Sequence, residues 1–343
     1  MRGRTTCASR AGASRTSPGA RARGTAIEHH RSRVVIDRAR WATARAWTRG
    51  RRARGRSRAI DGGERCYDEP EMYACAFGFR DFEAEVTFLD ACARRHGTHA
   101  GEAGEGEGMT SVLELGAGPA WHSLEAARRG VQAVALEKSG AMRAHARNEA
   151  QDIGARNVRV IDGDMREINL DPMTVPVNGF DVVTMLLGTA AHLLTHDDAI
   201  RCLRAVRRNL KPGGIFVVEL EHPWDLFSGD IREGAGDAWD REDEERGVKV
   251  FVEWGRDGDN FDIETQIYER TVSFSLVSLA TNEVIKIVED VVPCKIFTAP
   301  EFIALASAAG LTSVAVYGDM DVRVALDDEN AHNMVMVFRR EHE

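Results

Sequence analysis

The sequence predicts an α/β fold: a mostly parallel sheet wrapped by helices, with an antiparallel β insertion after the fifth strand. Three observations lead there. From about residue 111, short apolar runs alternate with stretches of helical spacing. Capping residues and glycines separate them at the intervals expected of strand–helix–strand units. Between Pro223 and Thr298 the helical spacing gives way to alternation with a period of two. With 343 residues, 43% of them apolar and 29% charged, the chain is long enough to bury a large core.

Charge divides the chain before any element is assigned. The formal charge of -9 is the sum of a +15 segment and a -24 remainder: residues 1–60 contain 17 arginines, no lysine and two acids, Glu28 and Asp37. A segment of Arg, Ala, Ser, Thr and Gly without apolar periodicity cannot offset its ordering entropy by burial. Residues 1–60 therefore read as a disordered tail or, being arginine-rich and acid-poor, as an organellar transit peptide, and are set apart from residues 61–343. The location expected is soluble: chloroplast or mitochondrion if the segment is an address, cytoplasm otherwise. The acidic body argues against a nucleic-acid partner, and the lack of an apolar run of about 18 residues argues against a membrane span. Six scattered cysteines without a CxxC pair suggest free thiols and no metal site.

Taken in order, Phe82, Val86, Leu89 and Ala93 recur at helical spacing behind Asp81, an N-cap candidate, and Gly97 to Gly108 reads as a loop. Strand Ser111 to Leu115, helix Ala120 to Arg129 and strand Gln132 to Leu136 follow. Helix Ser139 to Ile153 leads to strand Asn157 to Ile161, then strand Asp181 to Met185, helix His196 to Leu210 and strand Ile215 to Leu220. Thr195 with Asp198 starts the last of these helices in capping-box fashion, and Lys211-Pro212-Gly213-Gly214 stops it. An acidic loop, Gly229 to Gly247, precedes β-like runs at Val248 to Trp254, Phe261 to Leu276 and Glu283 to Val292. A capping box at Thr298 to Glu301 opens a helix ended by Gly310. Strands Thr312 to Tyr317 and Asn333 to Phe338 close the pattern, which has no internal repeat.

The functional signal lies at three successive strand ends. Gly116 and Gly118 allow a sharp turn and close backbone approach to a ligand, and the following helix aims its free N–H groups at the same place. Glu137 ends the next strand, 21 residues after Gly116, the spacing at which a carboxylate meets ribose hydroxyls. Asp164 follows the third strand. Trp121 stands where a dinucleotide-binding turn prefers a third glycine, and there is no P-loop, so a phosphate-free adenosine cofactor fits better than NAD or a triphosphate.

Glu114-Leu115-Gly116-Ala117-Gly118-Pro119-Ala120, Glu137 with Ser139 and Met142, Gly163-Asp164-Met165, Phe180-Asp181-Val182-Val183 and Leu210-Lys211-Pro212-Gly213-Gly214 form an ordered set. That set resembles the motifs of class I S-adenosylmethionine-dependent methyltransferases, over about Tyr67 to Arg340. The resemblance implies a Rossmann-like, doubly wound, seven-stranded sheet whose insertion, residues 221–297, covers the acceptor. S-adenosylmethionine would be held by Glu114, Gly116, Ala117, Gly118, Glu137, Met142, Asp164, Met165, Leu186 and Leu187. Ala120 departs from members that carry a third glycine. Met185-Leu186-Leu187-Gly188-Thr189 lacks the Asn/Asp-Pro-Pro-aromatic run usual in enzymes that methylate nucleic-acid amino groups, and Cys202 sits in a predicted helix rather than at a nucleophile position. The lead-in Tyr67 to Tyr73, Leu193-Leu194-Thr195 and His222 to Phe227 resemble a bacterial-type small-molecule branch, so the expected partner is a small N- or O-acceptor. His192 and His222, each after a strand on the ligand edge, are the candidate bases; Tyr73, Arg80 and Glu221 are candidate acceptor contacts. An NAD-dependent oxidoreductase and a non-catalytic partner-binding module are the alternatives, and oligomeric state is not legible.

Overall fold

A computed structural model describes residues 65–97, 106–224 and 236–342. The chain divides after residue 56 into two units, and every described residue lies in the second. The expected tail, most of the Gly97–Gly108 loop and the start of the acidic loop fall outside the described residues.

The main sheet has seven strands: β1 (Ser111–Leu115), β2 (Gln132–Glu137), β3 (Val158–Asp162), β4 (Phe180–Met185), β5 (Leu210–Glu221), β11 (Thr312–Tyr317) and β12 (Asn333–Arg339). They lie in the order β11-β12-β5-β4-β1-β2-β3. The pairs among β1 to β5 are parallel, whereas β12 runs antiparallel to both β5 and β11. Strand order reverses between β1 and β4, and ligands bind at such a switch point.

Side-chain parity sorts the strands between two layers. Leu113, Leu115, Val183, Phe216 and Val218 join the core built with α5 (His196–Asn209) and α6 (Ala299–Ala308). Val112, Val182, Ile215 and Val217 join the core built with α2 (Phe82–His96) and α3 (Trp121–Arg128). Glu114 and Glu219 share the parity of this second set, so two carboxylates in otherwise apolar central strands face α2 and α3. At the opposite end of β1, Asp181 accepts the backbone N–H and hydroxyl of both Thr110 and Ser111 and pairs with Lys211. Helix α4 (Gly140–Asp152) follows β2, its N-terminus capped by Ser139.

The insertion is a second sheet, antiparallel, in the order β10-β9-β7-β6, with β8 on β9. Its strands are β6 (Asp237–Asp243), β7 (Val248–Trp254), β8 (Asn260–Asp262), β9 (Ile267–Ser278) and β10 (Val284–Lys295). Val250, Val252, Val272, Phe274 and Val292 pack against Met72 and Ala76 of helix α1 (Pro70–Phe77).

Three sequence expectations need correction. Residues 237–243 are a strand, not part of an acidic loop: β6 is an edge strand, and Lys249 of β7 bridges its Asp240 and Glu242, offsetting the like charges. The run Phe261 to Leu276 is broken by a turn into β8 and β9. Residues 65–68 and 70–77, assigned no element from sequence, form a 3-10 turn and helix α1, whose apolar face is matched by the distant insertion rather than by local periodicity.

Candidate active site

A cavity of about 680 Å³ opens along the carboxyl ends of β1 to β5, between the main sheet, the N-terminal segment and the insertion. Its size suits a small-molecule site. The sheet contributes Gly116, Gly118, Glu137, Gly163, Asp164, Met165, Leu187 and Glu219, the N-terminal segment Tyr67, Tyr73 and Arg80, and the insertion Trp239, Trp254 and Arg270.

The glycine turn is held in left-handed backbone at Gly116 (φ 59°), Gly118 (φ 52°) and Ala120 (φ 62°). A Cβ at Gly116 would come within 2.5 Å of Thr189 Cγ2, whereas one at Gly118 would meet nothing within 4 Å. The first glycine thus permits close packing on the turn after β4, and the second leaves open space above the backbone. Glu137 clamps this turn from β2: Gly118 N donates to Oε2 at 2.7 Å and Ser139 N to Oε1 at 2.7 Å. Each carboxylate oxygen retains a lone pair, and the side chain borders the cavity. These features fit a nucleoside carrying vicinal hydroxyls. Asp164 and Met165 border the cavity next to them, and Arg166 forks onto the Asp164 carboxylate. Hydrogen bonds from the Arg166 side chain hold the Asp164 carboxyl below its usual range, with burial opposing them.

The other expected cofactor residues lie behind this surface. Glu114, Ala117 and Leu186 surround a small recess at the back of the turn, and Met142 is fully buried in the core and does not line the cavity. The Glu114 carboxylate accepts Ser123 N at 2.9 Å, Ser123 Oγ at 2.6 Å and the His122 ring at 2.9 Å, anchoring the start of α3 under the turn.

The acceptor candidates separate as clearly. His192, at the end of a 3-10 turn (Thr189–His192), borders the cavity with Nε2 3.0 Å from the Tyr67 hydroxyl. His222 does not border it: Nε2 donates to the Leu326 carbonyl at 2.9 Å and Nδ1 accepts Trp224 N at 3.2 Å, so both ring nitrogens are occupied. A strand-end position had suggested a base; the neighbouring C-terminal loop turns the ring aside. Tyr73 borders the cavity, stacked with Trp121 (ring centroids 6.1 Å) and close to Phe77 and Tyr67. Burial pushes its hydroxyl well above the ordinary tyrosine range, so it stays protonated. Arg80 donates through Nη1 to Glu219 at 2.8 Å and through Nε to Glu85 at 2.6 Å. Glu221 accepts Arg270 Nη2 at 2.7 Å, and Arg270 lies against Trp254 and Tyr268.

Sequence reasoning missed Glu219, Glu85, His122 and Arg270. Glu219 did leave a signal, a carboxylate inside the apolar run Val217-Val218-Glu219-Leu220. The others become meaningful only once folding pairs Glu85 with His122, 37 residues away, and Arg270 with Glu221, 49 residues away. Among the described residues no helix is long and apolar enough to cross a membrane, and no group of three His, Cys, Asp or Glu side chains could hold a metal ion.

Sheet order and the glycine turn match the fold of solved S-adenosylmethionine-dependent methyltransferases. Residues 112–214 match the family model described as a methyltransferase domain. Over 118 residues the chain is 37% identical to a dTDP-4-amino-2,3,4,6-tetradeoxy-D-glucose N,N-dimethyltransferase of Saccharopolyspora spinosa, covering 33% of this chain and 40% of that protein. Over 128 residues it is 30% identical to a cypemycin N-terminal methyltransferase of a Streptomyces species, covering 37% and 46%. The aligned region thus spans less than half the length of either relative. Among solved structures, an S-adenosylmethionine-dependent methyltransferase of Clostridium acetobutylicum superposes with TM-score 0.59 at 14% identity, covering 81% of this chain and all of that one. The S-adenosylmethionine-bound amino pentose methyltransferase CalS10 of Micromonospora echinaspora superposes with TM-score 0.56 at 20% identity, covering 84% and 100%.

Proposed function

We propose that the chain binds S-adenosylmethionine and methylates an amine of a small-molecule acceptor. The observation that carries this reading is the division of one cavity into two chemistries. Its sheet side presents the Glu137-clamped glycine turn; opposite it, Asp237, Trp239 and Trp254 of the insertion join Glu221 at the end of β5, which is paired with Arg270, an aromatic lining with carboxylates that suits an amine. The N-methyltransferases among the relatives point the same way.

Glu137 would hold the ribose hydroxyls, Asp164 and Met165 would border the base, and Leu187 with Tyr73 would enclose the reacting centre, all of them lining the cavity. When bound, the cofactor would supply an electrophilic methyl group carried on a sulfonium sulfur. The residues then have little covalent work: they align the acceptor atom and strip its water. Alkylamines are protonated at neutral pH, so a proton must leave nitrogen before attack, and His192, which borders the cavity beside Tyr67, is the candidate to accept it.

Calorimetry with S-adenosylmethionine and transfer of a labelled methyl group to a panel of amino sugars, peptide N-termini and simple amines test the reading. Binding together with label on nitrogen is expected. No binding at millimolar cofactor would sink it, and a melting temperature raised by NADH instead would favour the oxidoreductase.

A further inference from the structure

Behind the glycine turn, three carboxylates and two cationic side chains alternate in one largely buried file that reaches the cavity at Arg80 and Glu219. Glu219 of β5 takes Arg80 at 2.8 and 3.2 Å, Arg80 reaches Glu85 of α2 at 2.6 Å, Glu85 meets His122 Nε2 at 2.6 Å, and His122 Nδ1 meets Glu114 of β1 at 2.9 Å. His122 is 2% exposed, and its ring packs at right angles to that of Phe82. One end of the file holds backbone that borders the cavity, and the other holds the start of the helix that follows the glycine turn. Glu219 Oε2 accepts Leu187 N at 2.8 Å, and Glu114 Oε2 accepts Ser123 N at the start of α3, directly after the glycine turn.

We propose that His122 is a positioning residue that works as a buried imidazolium, locking the glycine turn and the Leu187 turn in register for cofactor binding. The geometry requires the charge. A neutral imidazole has one N–H, yet both ring nitrogens face acceptor-only carboxylates at hydrogen-bond distance. Without the second proton one contact becomes a clash of lone pairs, and three buried carboxylates are left with Arg80 as their one cation in the file. The charged groups facing the ring are Glu85 from α2 and Glu114 from β1, with Arg80 and Glu219 next in line. Burial alone would lower the imidazole's pKa; the hydrogen bonds to Glu114 and Glu85 outweigh it and push the pKa up to about 9. Glu85 is correspondingly held below the usual carboxylate range, although burial opposes this.

The charge state of His122 stands independently of the proposed function, whereas its positioning role rests on cofactor binding. Histidine-ring NMR on the full chain, with His122→Gln assigning the signal, tests the first. One ring is expected to be doubly protonated at pH 7.5 and to titrate near 9; titration between 6 and 7 overturns the charge and the role together. Calorimetry with S-adenosylmethionine tests the second. Wild-type affinity is expected to fall roughly tenfold from pH 7.5 to 10, while His122→Gln binds weakly and with little pH dependence, which also subtracts the ligand's own ionisation. Should His122→Gln fail to fold, Glu85→Gln keeps the ring and must move both midpoints to lower pH. Binding that ignores pH and both substitutions overturns the positioning role alone. No binding at any pH, with the expected ring titration, overturns the methyltransferase reading and the role that rests on it.

Discussion

Ala120 occupies a backbone position that glycine favours, with φ 62°, yet its methyl group is buried against Ala117, Ala135, Ala146 and Val160. The left-handed conformation costs about 1 kcal/mol, and a buried methyl group returns about 0.8 kcal/mol. Ala120→Gly is therefore expected to change stability by less than about 1 kcal/mol, measured by urea unfolding. Glu137 has no such balance. Glu137→Ala removes the acceptor for Gly118 N and Ser139 N together, about 2 to 3 kcal/mol of buried hydrogen bonding. Cofactor affinity measured by calorimetry is expected to fall about 100-fold with the fold retained; unchanged affinity would remove Glu137 from the site. Both residues were legible in the sequence, because a turn and the strand end beside it are linked by short, regular connections. The Glu85–His122–Glu114 contacts were not, since no spacing rule relates α2 to β1 and α3.

At the scale of elements, two helix caps of the same chemistry serve different ends. Thr195 caps α5, accepting Asp198 N at 3.0 Å on an exposed turn. Ser139 caps α4, accepting Met142 N at 3.3 Å and donating to the Tyr67 carbonyl at 2.9 Å on the cavity wall. Each replacement by alanine should lower unfolding free energy by about 1 kcal/mol. Calorimetry should separate them: Ser139→Ala weakens cofactor binding, and Thr195→Ala leaves it unchanged. Capping signals of this kind made the helices of the main sheet readable. Strand β6 was not, because its Asp240 and Glu242 resemble a loop until Lys249 of the paired strand is placed beside them.

For the whole molecule, the His122 file makes stability depend on pH. A pKa raised from 6.5 to about 9 on folding contributes stability that is fully present below pH 6.5 and is lost as pH rises through 9. Unfolding free energy is expected to decline by roughly 3 kcal/mol over that window in the wild type and to stay flat in His122→Gln, as read from urea midpoints. Asp181 acts in the opposite sense: burial raises its pKa, but Lys211, Thr110 and Ser111 hold it low, so its contribution is lost in acid. By itself the sequence determined the strand–helix alternation, the insertion after the fifth strand, the glycine turn with Glu137 and Asp164 after it, and the charge contrast between residues 1–60 and the rest. These follow from periodicity and spacing, which act over a few residues. Only the tertiary structure decided that His192 rather than His222 borders the cavity, that Glu114 and Met142 support the site from behind, and that Arg80 and His122 share three buried carboxylates. Those outcomes depend on which face of a strand meets which helix, a property of packing between segments as far as 139 residues apart that no local pattern carries.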